Sequence, residues 1–72
     1  MERNKDITRF VELCARSRHD GLSMNLHQEK KDLANKLIED GHMIMTNTGC
    51  YGFVNENDSL YFAETIKNWN KK

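Results

Sequence analysis

The sequence predicts a small α+β domain in which helices pack on a β-hairpin and a C-terminal helix follows. Three observations carry this. Two stretches before Gly41 repeat apolar residues at helical spacing, a stretch over 43–54 has no charged residue and turns on a glycine, and a third amphipathic stretch follows a polar run. The 72 residues make room for one domain, 1–72. Its core must be small, because a chain near this size buries only about 60% of its unfolded surface.

The first helix is expected over about 7–18. Ile7, Phe10, Val11 and Cys14 fall at i, i+3, i+4 and i+7, and Ala15 widens the stripe. Asp6 is the expected N-cap. Arg16 and Arg18 stand where the helix dipole favours positive charge, and His19-Asp20-Gly21 ends the element. Leu22-Ser23-Met24-Asn25-Leu26 alternates apolar and polar residues and reads as a short extended segment. A second helix is expected over about 26–40, capped by Asn25 with Gln28 three residues on, as in a capping box. Its buried stripe is Leu26, Leu33, Ala34, Leu37 and Ile38, and Gly41 supplies the left-handed position beyond its end.

Residues 43–46 and 50–54 read as hairpin strands around Asn47-Thr48-Gly49, with Gly49 at a position wanting positive φ. Gly52 weakens the second strand or marks a bulge. A third helix is expected over about 59–69, capped by Asp58, with Phe62, Ala63, Ile66 and Trp69 on one face. Residues 1–5 and 70–72 are expected to fray.

Composition narrows the function. Eleven Lys and Arg cancel eleven Asp and Glu, so the chain lacks the cationic excess of a strong phosphate binder. No apolar run approaches the roughly 18 residues that span a bilayer, and the first ten residues carry both signs of charge without the apolar core of a secretory signal. The expectation is a cytoplasmic protein with no membrane partner. Cys14 and Cys50 are therefore expected to stay reduced. Cys14, His19, His27, His42 and Cys50 lack the close ligand spacing of a zinc site, so neither metal nor cofactor is expected. A nucleophile needs an adjacent base. Cys14 lies on the core stripe, and Cys50 has only His42 to serve it across the hairpin. With no phosphate-cradling glycine loop or paired-carboxylate motif, the chain does not read as an enzyme.

The run Asp32-Leu33-Ala34-Asn35-Lys36-Leu37-Ile38-Glu39-Asp40-Gly41-His42-Met43-Ile44 resembles the end of the recognition helix and the first wing strand of winged helix-turn-helix domains. Gly49-Cys50-Tyr51-Gly52-Phe53-Val54 resembles the second wing strand. The polar turn and trailing helix resemble the tail of small winged-helix domains in bacteriophage proteins. The resemblance implies a winged-helix-like fold and, in its DNA-binding form, a transcriptional regulator. Gln28, Lys31 and Asn35 would then meet bases, and Arg9, Arg16 and Arg18 would meet phosphates.

Two departures redirect that implication. The chain between Arg18 and Asn25 is too short for a separate positioning helix, so the unit reads as truncated unless the first helix plays that part. The charge is also of the wrong sign: over 25–40, three lysines meet four carboxylates, and the hairpin is uncharged. An acidic helix complements the basic surface with which another protein holds DNA. Tyr51, Met43 and Met45 on the hairpin would add an apolar anchor. The expected function is thus regulation of transcription by protein–protein contact, similar to the antirepressors and modulators of repression of temperate phages. The chain would bind a repressor and occlude its DNA-reading surface through Gln28, Asp32, Asn35, Glu39, Asp40 and Tyr51. The alternative is a winged helix-turn-helix DNA-binding regulator.

Overall fold

A computed structural model describes residues 3–69. In chain order it contains α1 (Lys5–His19), α2 (Met24–Glu39), β1 (Met43–Met45), β2 (Tyr51–Phe53) and α3 (Glu56–Asn68). This is the expected α+β arrangement of helices, one antiparallel hairpin and a C-terminal helix.

The N-cap of α1 is Asn4 and not Asp6: its side chain accepts the Asp6 N–H at 2.7 Å. Asp6 instead puts a carboxylate into the first turn, near the positive end of the dipole, where Lys36 Nζ of α2 meets it at 3.0 Å. The stripe residues Ile7, Phe10, Val11 and Ala15 are buried, and so is Leu13, which the stripe leaves out. The physical reason is that α1 is covered on two sides, by α2 and by α3, so its buried arc is wider than a two-layer pattern predicts.

No extended segment precedes α2. Ser23 caps it, accepting the Leu26 N–H at 3.3 Å, and Met24 and Asn25 are already helical. The five-residue alternation is overruled by a better cap, because a serine at that position satisfies an orphan amide that a short unpaired strand would leave to water. Gln28 does not reach back to form a capping box; its amide donates to Asp32 Oδ1 at 3.0 Å. At the other end, Gly41 takes φ +84°. Its N–H bonds the Ile38 carbonyl (3.1 Å) and the His42 N–H bonds the Leu37 carbonyl (2.9 Å), the pair of bonds of a Schellman motif. That motif turns the chain directly into β1.

The hairpin pairs Met43 with Phe53, Ile44 with Gly52 and Met45 with Tyr51. Gly52 sits in register, so of its two readings the bulge is not the one found. The loop closes through Thr46 N–H to the Cys50 carbonyl (2.7 Å) and Gly49 N–H to the Thr46 carbonyl (3.0 Å), with Gly49 at φ +83°. The Val54 N–H bonds the His42 carbonyl at 3.0 Å. Cys50 therefore faces Thr46 at the tip while His42 faces Val54 at the base, and the candidate nucleophile and base are held at opposite ends of the hairpin.

Asn55 and not Asp58 caps α3, accepting the Asn57 N–H at 2.8 Å, so the helix begins three residues earlier than expected. Phe62, Ile66 and Trp69 are half-buried, whereas Ala63 is exposed. His19 Nε2, at the end of α1, lies 3.1 Å from the Ile66 carbonyl. Residues 3–5 are not frayed. Arg3 stacks 3.9 Å above the Tyr61 ring and pairs with Asp58 at 3.4 Å, Asn4 is the cap, and Lys5 opens the helix. The rest of the expected fraying, at 1–2 and 70–72, lies outside the described residues. Ile7, Phe10, Val11, Ala34, Leu37 and Met43 form the core. Among the described residues no helix is long and apolar enough to cross a membrane.

Candidate interaction surfaces

Gln28, Lys31, Asp32, Asn35 and Glu39 recur at i, i+3, i+4, i+7 and i+11, so one narrow stripe of α2 carries them all. All five are exposed, and the opposite side of the helix is buried through Ala34 and Leu37. The stripe thus gathers four of the residues expected to bind protein and the three expected to read bases. It holds one lysine against two carboxylates.

The other charges of α2 that reach α1 are already engaged. Arg9 of α1 grips Glu29 with two bonds, Nε to Oε2 at 2.7 Å and Nη2 to Oε1 at 3.2 Å, and also meets Glu12 at 3.2 Å. The hydrogen bonds from Arg9 hold the Glu29 carboxyl below its ordinary range, and Glu29 in turn raises the Arg9 pKa. The Asp6 carboxylate likewise raises that of Lys36. Arg9 thus faces carboxylates, and a phosphate contact would have to displace Glu29 and Glu12. Arg16 is half-buried and Arg18 exposed in the last turn of α1, neither in an ion pair among the described residues. Residues 20–23 join α1 directly to α2, with no further helix between them.

Two of the expected protein-binding residues stand apart from this stripe. Asp40 is the C-cap of α2 and lies about 100° around the helix from Glu39. Tyr51 turns its ring edge-on to Phe10, with centroids 6.1 Å apart, on the inner face of the hairpin. Met43, expected as part of an apolar anchor, is buried in the core. The large apolar side chains that the hairpin segment does expose are Ile44, Met45, Val54 and, to a smaller extent, Tyr51.

Between the helices and the hairpin lies a cavity of about 380 Å³. Phe10, Phe53 and Phe62 line it with Tyr51 and Ser59, and Lys30 is its one cationic residue. Lys30 belongs to the inward stripe of α2, since Leu26, Lys30, Leu33 and Leu37 follow one another at steps of four, three and four. The sequence signal was there: a lysine fills a gap in an otherwise apolar repeat. Cys14 and Cys50 also border this cavity, both as free thiols. Burial pushes the Cys14 thiol up, with the nearby Lys30 charge acting against it.

A second cavity of about 550 Å³ lies where the caps of α1 and α3 meet β1, but its polar groups serve one another: Arg3 pairs with Asp58, and Asn4 Nδ2 lies 3.4 Å from His42 Nε2. Among the described residues no three His, Cys, Asp or Glu side chains cluster as metal ligands would. Comparison with protein-family models, with curated proteins and with solved structures finds no match to this chain.

Proposed function

We propose that this chain is a small intracellular regulator of transcription that works by protein contact, as a phage-type antirepressor does, laying α2 against the basic DNA-reading surface of a repressor and occluding it. The observation that carries the reading is the sign of the exposed α2 stripe. Asp32 and Glu39 outnumber Lys31 there, while Lys36 is drawn aside by Asp6. Glu39 also sits in the last turn, where the helix dipole disfavours an anion, so its place is not explained by helix stability. Opposite charge on a partner would speed encounter and fix register.

A DNA-binding reading has its own support, in the helix–turn–helix join of α1 to α2 and in the common face of Gln28, Lys31 and Asn35. Its phosphate contacts would have to come from Arg16 and Arg18, because Arg9 is held by Glu29 and Glu12.

A band-shift assay separates the two. The pure protein is added at low salt to DNA from its own operon, and separately to that DNA bound by the repressor encoded nearby. Release of the repressor, abolished by Asp32→Lys with Glu39→Lys in a variant that stays folded, supports occlusion. A specific shift by the protein alone supports DNA binding, and release that survives the double reversal removes the α2 stripe from the mechanism.

A further inference from the structure

Lys30 is the most unusual charge in the molecule. It occupies a core-facing position of α2, is half-buried, and makes no ion pair or hydrogen bond among the described residues. A lysine that borders an apolar cavity with no carboxylate beside it leaves its ammonium free to pair with an incoming anion. None of the residues bordering the cavity is acidic. Cys14 does not supply the anion, because burial favours its neutral thiol.

The rest of the wall selects what the anion is attached to. Phe10 and Phe53 meet edge-on at 6.2 Å, and Phe53 and Phe62 are tilted at 5.7 Å. Such a set presents both ring faces and ring edges, which an added ring can meet favourably. The volume of about 380 Å³ lies at the small end of ligand sites, which run from about 300 to 1,000 Å³. It suits one ring with a short acidic chain and is too small for a folded segment.

From these features we propose that the cavity binds a small aryl carboxylate, its ring among Phe10, Phe53 and Phe62 and its carboxylate on Lys30. The site lies on the side of α2 away from Asp32 and Glu39, so it stands independently of the repressor reading. Cys50 borders the cavity and reports on its occupancy.

The test uses the full chain and 3-phenylpropanoate, followed by the aromatic proton resonances and by the rate at which iodoacetamide alkylates Cys50. Saturable binding in the range of about 0.1–1 mM is expected for a ligand this small, with slower Cys50 alkylation at saturation. The neutral 3-phenylpropanamide should bind about tenfold more weakly, since it forgoes the charge-assisted bond. Lys30→Met, which places an apolar side chain on an apolar stripe and so keeps the fold, should erase the difference between acid and amide. Lys31→Met, on the outer face, should leave it intact. The proposal is overturned if the amide binds wild type as well as the acid does, or if Lys30→Met retains the preference. It is equally overturned if Lys31→Met loses the preference, or if the folded protein shows no saturable shift up to about 10 mM.

Discussion

Five side chains of α1 and two of α2 are buried, whereas α3 buries none of its own and the hairpin contributes only Met43. Both halves carry apolar residues at helical or strand spacing. They differ in how deeply those residues are packed. α1 is packed by α2 on one side and α3 on another, so nearly any apolar residue on it finds cover. α3 meets α1 and β2 along one face, and Leu60, like Ile44 and Val54 on the hairpin segment, stays in water. Stability is therefore concentrated in the α1–α2 pair. The other half is where local opening costs least and where apolar area remains for contact.

The sharpest way to break this comparison is to remove matched leucines. Leu37→Ala, at a site with no exposed surface, should cost about 3 kcal/mol, most of the stability of a domain with about 5 kcal/mol in total. Leu60→Ala, at a 56% exposed site, should change it by less than about 0.5 kcal/mol. Equal losses in urea melts would mean that α3 is packed as tightly as α1.

The glycines offer a second contrast. Gly41→Ala forces a Cβ into the left-handed region at φ +84° and should cost about 1–2 kcal/mol. Gly52→Ala meets only Ile44 Cγ1, at an ordinary 3.9 Å, and should be neutral within about 0.5 kcal/mol. A large loss at Gly52 would point back to a bulge.

Smaller still is the effect of the α2 cap. Ser23→Ala should cost about 1 kcal/mol by thermal or urea denaturation, while Asn25→Ala, already inside the helix, should cost nothing. The reverse ranking would restore the later helix start.

The faintest signal should come from the Arg9–Glu29 pair that ties α1 to α2. The folded Glu29 carboxyl is held below its ordinary 4.5, so its contribution is present above that value and fades as pH falls through the lowered one. Glu29→Gln should flatten the acid side of the stability profile, where pH falls through the lowered carboxyl value, and leave neutral behaviour nearly unchanged, because exposed pairs are weak and screened. A steeper acid limb in the variant would contradict the pairing.

Much of the fold was legible in the residues. The stripes of α1 and α2, Gly41 beyond the second helix and Gly49 in the hairpin loop each follow from local stereochemistry, and each is found in place. The caps of all three helices differ from those expected because Asn4, Ser23 and Asn55 each stand near another residue of capping type, and the choice depends on which backbone is extended where the helix starts. Of the candidate surface, the α2 stripe was legible as a spacing. Asp40's displacement from it follows from the same spacing, but the separation of Tyr51 and Met43 does not, because it depends on where the hairpin folds relative to α2.

The sequence by itself determined which residues are helical, where the chain must turn, and that Gln28, Lys31, Asp32, Asn35 and Glu39 share one stripe of α2, since these depend on neighbours within a turn or two. Only the tertiary structure decided that α1 is covered twice, that Arg9 pairs with Glu29, and that Lys30 borders an apolar cavity shared by all five elements. Those outcomes join residues 20 or more positions apart, such as Arg9 with Glu29 and Cys14 with Cys50. Periodicity along a chain carries no distance across it.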